Sequence, residues 1–442
     1  MEIKRDFYLN KLIRSAHNKR VKVITGIRRC GKSYLLNVLY KDYLLSSGIL
    51  ENKIIQLDLS SREFAALTNP IKLDEYIRSK LNKIDEFYLF IDEIQFCRSI
   101  PNLAFNGVKT IDGEIPQINF YQVLNGLLSS YPNVDIYVTC SNSHLLSSDV
   151  LTEFRGRGWQ IDLAPLSFSE YVSAFPQKDK RTLFEEYLVF GGMPGMIVFG
   201  NYQDKISYLN NLFELTYLKD VLEHSNCNSN TTTIKELLSV LASSEGSLIS
   251  INKIFEIFKQ KEDKGISRQS IDKYINAFKD SFLISEVSRF DIKRNKLIAS
   301  SKKYYFADCG LRNALLSFNQ IDKEHLMESI IYRDLKRRGY AINVGIVPVF
   351  ESNKDNNRVR KQYEVEFIAT MGDKKLYIQS VYQIYNDEKL KQESNSFLKI
   401  DDSFRKIIIE GDLYIPYIDK NGIEHIGVID FLCNEKFNNY IQ

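Results

Sequence analysis

GIRRCGKS, residues 26 to 33, decides the first half of the fold. It spells G-x-x-x-x-G-K-S, and each fixed position has a physical reason. Gly26 and Gly31 let the backbone turn tightly and aim successive N–H groups inward. Those amides, with the N-terminus of the helix that follows, form a cradle for phosphate. Lys32 is placed to reach the β- and γ-phosphates of a nucleotide, and the Ser33 hydroxyl to ligate Mg²⁺. Ile27, Arg28, Arg29 and Cys30 complete the loop, and Tyr34 opens the helix beyond it. The flanks agree: VKVIT (21–25) reads as a short strand and SYLLNVLYKDY (33–43) as an amphipathic helix. Cys30 reads as a small residue that fits, with a redox-sensing thiol as the alternative.

Working outward, strand and helix signals alternate to about residue 200, which predicts a parallel sheet covered by helices. IIQLDL (54–59) is a second strand. FYLFI (87–91) is a third, and its unbroken apolar run suits burial on both faces. It ends in Asp92-Glu93. Asp92 is placed to hold Mg²⁺ together with Ser33, and Glu93 to orient and polarise an attacking water. The alternative for this pair is an acidic helix N-terminus. Residues 98–118 read as an inserted loop. VDIYVT (134–139) is a fourth strand, followed by CSNSHLLSS. There Asn142, or else Ser141, would touch the γ-phosphate or the water; helix capping is the competing use. In FRGRGW (154–159), Arg155 or Arg157 is placed to act on a phosphate, in the same subunit or a neighbour. Ordinary surface arginine is the alternative. QIDL (160–163) is a fifth strand. FGGMPG (190–195), with Pro194, forms a bend that closes over the nucleotide base or serves as a hinge.

GIRRCGKS, FIDEIQ, TCSNSHLLSS, EFRGRGW, LAPLSFSEY and GGMPG, in that order, resemble a widespread prokaryotic family of AAA+-type ATPases. In that family the ATPase module precedes a winged-helix segment and a C-terminal domain of unknown function. The resemblance spans essentially the whole chain. It implies a five-stranded AAA+-like sheet, Asp92 and Glu93 as the Walker B pair behind the Walker A loop, Asn142 near the sensor position, and Arg155 or Arg157 as a finger. GGMPG is similar to the glycine-proline motif that lies against adenine in related ATPases, which puts Pro194 there. Cys140 departs from the usual glycine of the TGSN version.

From residue 201 to 318 the pattern is helical, and 250–258, 267–277 and the strand-like 281–290 and 303–308 fit a winged helix. Arg268, Lys273 and Lys279 lie on or near its recognition helix. DNA binding is one use, and a lid or protein-docking module the other. From 319 to 442 a helix carrying Glu328 precedes strands at 340–350, 361–371 and 375–382, with later strands at 406–410 and 426–431. This resembles the restriction-endonuclease-like fold, in which carboxylates bind Mg²⁺ and a lysine assists the water. Glu328, Glu366 and Gln379 fit the acidic positions, but Val381 stands where the lysine belongs. A degenerate nuclease is expected.

The predicted architecture is therefore α/β: a P-loop AAA+-like domain (1–200), a helical and winged-helix middle (201–318) and a nuclease-like domain (319–442). A length of 442 residues accommodates this. A net charge of +3 is too small to argue for nucleic acid by itself. The charged N-terminus and the lack of a long apolar run predict a cytoplasmic protein without a membrane segment. Six cysteines lack any C-x-x-C pair and read as reduced. The reading is a Mg²⁺-dependent ATPase coupling ATP to C-terminal domains that bind DNA or protein, with homo-oligomers allowed. An ATP-regulated binding module with little turnover, or an active ATP-dependent nuclease, are the alternatives.

Overall fold

The computed structural model describes residues 3–102, 115–141, 153–154, 156–218, 221, 231–260, 266–352, 358–384 and 387–434. Asn142 and Arg155 lie outside them. The chain divides into two units, Ile3–Ala164 and Pro165 to the end.

The first unit is built on β1 (Val21–Thr25), β2 (Ile54–Asp58), β3 (Phe87–Asp92), a short pair β4 (Ile100–Pro101) and β5 (Gln117–Ile118), β6 (Val134–Cys140) and β7 (Gly158–Asp162). Five strands form one sheet in the order β2-β3-β6-β1-β7, every pair parallel. The three central strands are buried along their whole length; β3 is accordingly apolar up to Asp92, whereas β1 and β6 carry Lys22 and Asp135, which neutralise each other as a buried ion pair. Helices Pro70–Lys80 and Phe120–Ser130 pack Leu73, Ile77, Leu124 and Leu127 against Leu89, Ile91 and Ile136. Asn69 and Asn119 cap them through their side-chain oxygens. The helical run after the glycine loop begins at Lys32, passes through a π-helical stretch Leu35–Tyr40 and ends at Ser46. A parallel sheet with all strand ends on one edge concentrates its loops there, and ligands bind outside the carboxyl ends.

The second unit carries β8 (Ile284–Asp291), β9 (Lys296–Phe306), β10 (Ala341–Ser352), β11 (Arg358–Met371), β12 (Lys374–Val381), β13 (Arg405–Glu410), β14 (Tyr417–Ile418) and β15 (Glu424–Gly427). They form one mixed sheet in the order β14-β15-β13-β12-β11-β10-β8-β9. The structure therefore divides the chain elsewhere than the expected 200/201 and 318/319. Residues 165–200 pack with the second unit, and β8 pairs with β10, so 318/319 falls inside a single hydrophobic body. The expected strand 426–431 is another departure. It ends at Gly427, and Val428–Cys433 is helical because Val428, Phe431 and Leu432 fall on one buried face at helical spacing.

The GGMPG bend is clamped. Gly191 has φ +69°, and a Cβ there would lie 2.2 Å from an Asp308 carboxylate oxygen. The Gly192 N–H donates to that carboxylate at 2.6 Å, and Leu166 N–H donates to the Gly192 carbonyl at 2.8 Å. The glycines are required by this close approach, so the bend is no free hinge. Among the described residues, no helix is long and apolar enough to cross a membrane.

Candidate functional site

The strand registers place Asp58 beside Asp92, and Thr25 between Cys140 and Asp162, all at the C-terminal edge of the first sheet. The glycine loop leaves the sheet at Thr25. Gly26 takes φ +142° and Gly31 φ +99°, and a Cβ at Gly26 would lie 2.1 Å from the Leu163 carbonyl oxygen. No side chain fits that approach, which explains the first glycine. Lys32 is nearly buried, and its ammonium donates to the carbonyls of Gly26 (3.0 Å) and Ile27 (3.2 Å). The cation is thus held across the mouth of its own loop. Ser33 hydrogen-bonds the Asp92 carboxyl.

Asp92 closes β3 and is buried. Burial is the main cause of its raised pKa; hydrogen bonds from Ser33 and Thr139 oppose the shift, and the charges of Glu93 and Asp58 add to it. An added cation would reverse that penalty. A carboxylate beside a hydroxyl is a hard oxygen donor set, and it fits Mg²⁺. The Thr139 hydroxyl joins the two acids: it donates to Asp92 and accepts from the Glu93 N–H at 2.9 Å. Glu93 sits in the left-handed region at φ +52°. Its carboxylate accepts from the Ser141 hydroxyl at 2.9 Å and from the Gln95 amide. Gln95 also donates to Ser141 at 3.0 Å.

Lys32, Ser33, Asp92, Glu93 and Ser141 therefore share one edge, although 59 positions separate Ser33 from Asp92 and 48 separate Glu93 from Ser141. Arg157 does not join them. Its carbonyl accepts from Val21 N–H at 2.8 Å, which fixes it at the N-terminal edge of the sheet. That is a strand length, about 13 Å, from the loop. Its exposed guanidinium donates to Ser129 Oγ at 3.1 Å. The open reading of a finger acting in its own subunit is corrected for Arg157, because parallel strands start and finish on opposite edges. Pro194 belongs to the second unit, in the turn Pro194–Met196.

Two participants escaped the sequence reading. Arg5, nearly buried, donates to the Cys30 carbonyl at 3.2 Å and to the Ala164 carbonyl at 2.7 Å, pinning the loop from behind. Only its position just ahead of a helix hinted at it. Asp58 ends its strand just as Asp92 does, and that parallel was the missed signal. Cys30 is fully buried against the Leu163 carbonyl, and burial pushes its thiol up, which disfavours the redox-sensing alternative.

In the second unit, Glu366 accepts from both the N–H and the hydroxyl of Ser380, at 2.7 and 2.6 Å. Gln379 accepts from the Glu366 N–H at 3.1 Å and donates to Glu393 at 2.9 Å. Val381 is fully buried among Val347, Val365 and Ile408. One cation of this cluster, Lys389, contacts Glu393 at 3.1 Å, and a second comes from another strand: Lys303 contacts Glu328 at 2.8 Å and Glu364 at 2.7 Å. Tyr305 also donates to Glu328, at 2.6 Å. Among the described residues, no group of three or more His, Cys, Asp or Glu is arranged to hold a metal.

A glycine cradle following β1 in a five-stranded parallel sheet, with paired acids at the tip of β3 across the intervening β6, defines an AAA-type P-loop domain. Residues 18–172 match the family described as an AAA domain. Residues 181–322 match a domain of unknown function (DUF8612). An uncharacterized protein of Haemophilus influenzae is 30% identical over 436 residues, 97% of this chain and 98% of that one. The chain belongs to the family of that protein. The uncharacterized protein MJ1544 of Methanocaldococcus jannaschii is 28% identical over 428 residues, 92% of this chain and 86% of its own. Among solved structures, the Walker-type ATPase PABY2304 of Pyrococcus abyssi aligns at 16% identity. It covers 71% of this chain and 96% of its own, with a TM-score of 0.47.

Proposed function

We propose that the chain is a Mg²⁺-dependent ATPase whose nucleotide state is coupled to its C-terminal region. The observation that carries this is the assembly of Lys32, Ser33, Asp92 and Glu93 on one sheet edge. In this reading, GIRRCGKS and Asp92-Glu93 act as Walker A and Walker B. The amides of residues 26–33 bind the phosphates, and the Lys32 ammonium exchanges the carbonyls of Gly26 and Ile27 for phosphate oxygens. Ser33 and Asp92 would hold Mg²⁺, which when bound neutralises phosphate charge. Glu93 accepts the proton of the attacking water once Ser141 and Gln95 release it. Purified protein with Mg²⁺ and ATP is expected to release phosphate, and Lys32→Ala to release none above background. Equal release from both proteins, or none from either, sinks the enzyme reading and leaves a nucleotide-regulated binding module.

Arg157, placed away from its own loop, suits action on a neighbouring subunit. Mixing Arg157→Ala with Lys32→Ala protein is then expected to restore activity above that of either variant alone, since a mixed interface joins an intact loop to an intact arginine. Mixtures no more active than the sum of their parts count against it.

The middle of the chain reads as a winged helix. Helices Thr231–Ser243, Ile251–Gln260 and Arg268–Asp280 precede the β8–β9 hairpin, and Ile249 bridges to Lys302 as a third short strand would. The C-terminal strands read as a degenerate nuclease-like fold, because Lys303 occupies the carboxylates that would otherwise bind metal. Plasmid DNA is expected to survive incubation with the protein and Mg²⁺. Cleavage that Glu366→Ala abolishes would restore the nuclease alternative.

A further inference from the structure

The helix Arg268–Asp280, where a DNA-binding reading first looks, is a weak polyanion surface. Arg268 lies 4.8 Å over the Phe255 ring, Lys279 faces Glu286 at 3.5 Å, and Asp272 sits beside Lys273. The positive charge gathers elsewhere on the same unit. Lys293 and Arg294 in the turn joining β8 to β9, and Lys296 at the start of β9, are all exposed. The acid preceding them, Asp291, is buried; it receives the Arg294 N–H at 3.0 Å, and its carboxylate lies 3.9 Å from the Arg294 guanidinium, whose side chain stays largely exposed.

β8 runs parallel to β10, with Asp291 opposite Ile346, and Ile292 N–H donates to the Ile346 carbonyl at 3.0 Å. The basic turn therefore begins at the level where β10 runs on into Val347–Phe350. β11 pairs with that segment: Lys361 stands opposite Val349, and Arg360 opposite Phe350. Both basic side chains are exposed. Arg289 ties the two arms together by donating to Gln362 Oε1 at 3.0 Å. Three residues beyond Ile346 is about 10 Å of strand, so turn and ribbon project from the sheet in the same direction. The segments 292–298 and 359–363 together contain five lysines and arginines and not one carboxylate. Leu297 and Phe350 add exposed apolar surface, at 60% and 59%.

We propose that the β8–β9 turn and the adjoining β10–β11 ribbon form a binding face for duplex DNA. The charge complements a phosphate backbone, and two-stranded ribbons fit the major groove of B-form DNA, whereas the deep, narrow major groove of duplex RNA excludes them. All the residues belong to the second unit, so the inference stands apart from the nucleotide reading.

The test is fluorescence anisotropy of a labelled DNA duplex with the full chain, without nucleotide and across a salt series. The wild type is expected to bind, with affinity falling steeply with salt. Lys293→Glu/Arg294→Glu/Lys296→Glu and, separately, Arg360→Glu/Lys361→Glu are expected to weaken binding at least about tenfold and to flatten the salt slope by roughly 0.9 per lost contact. Glutamine replacements at the same positions give the same direction if charge reversal disturbs folding, which thermal unfolding reports. Basal phosphate release should be unchanged in every variant. Absence of duplex binding by the wild type at low salt overturns the proposal. So do folded variants that bind as tightly as the wild type. So does more effective displacement of the duplex by poly-glutamate or duplex RNA than by unlabelled DNA.

Discussion

Glu93→Gln is expected to bind ATP as the wild type does and to release phosphate about 10² to 10⁴ times more slowly, the range for removal of a general base. Thr139 holds the Glu93 backbone against the acid that closes β3, so the side chain starts beside the phosphate cradle. The amide keeps the size of the carboxylate, and Ser141 still has an oxygen to donate to, so loop geometry survives. Only proton acceptance is lost. Single-turnover phosphate release, paired with equilibrium binding of a labelled nucleotide, separates the two properties. A variant that hydrolyses within a few-fold of the wild type removes Glu93 from the chemistry. One that fails to bind nucleotide assigns it to the cradle instead.

The second large effect is on stability. Lys303→Ala is expected to destabilise the second unit by about 3–5 kcal/mol, the usual cost of leaving a buried charge without its partner. Lys303 is 2% exposed and Glu328 4% exposed. Burial disfavours the charged ammonium, but the carboxylates of Glu328, Glu364 and Glu366 more than offset this and leave its pKa raised. Burial, with the Glu328 charge, lifts Glu366 well above its usual range, while Lys303 and Ser380 oppose the shift. Taking away the lysine leaves those acids facing one another. The double variant Lys303→Ala/Glu328→Gln should recover part of the loss, because it removes both members of the pair. Hydrogen exchange at β9 and the helix Lys323–Arg337 reads the effect locally. The single tryptophan, Trp159, lies in the first unit, so its fluorescence should be unmoved. A loss below about 1 kcal/mol would mean that the pair is dispensable.

Lys303 also illustrates where sequence reasoning stopped. The nuclease pattern puts its lysine two positions after Gln379, where this sequence has Val381. Val381 faces the apolar core, and a cation arrives from β9, 25 positions before Glu328. No spacing rule connects residues on different strands, so nothing local announced it. The glycines of GGMPG were legible as a bend, but what clamps them is Asp308, 116 positions from Gly192. The hairpin after residue 284 was legible as strands. That it continues the C-terminal sheet depends on β8 meeting β10, a pairing fixed by packing.

The sequence by itself determined the features that repeat over a few residues. The phosphate loop is written in glycine spacing, because only glycine tolerates the turns at 26 and 31. β3 is written in an apolar run, and Asp92-Glu93 marks where it ends. The tertiary structure alone decided which distant groups meet. It put Arg5 behind the loop, gave Glu93 to Ser141 and Gln95, sent Arg157 to the opposite edge, and filled an acidic cluster with Lys303. The physical reason is common to all four. Local periodicity fixes which way a side chain leaves its own strand or helix, whereas its partner depends on strand order and direction, which the whole chain settles together.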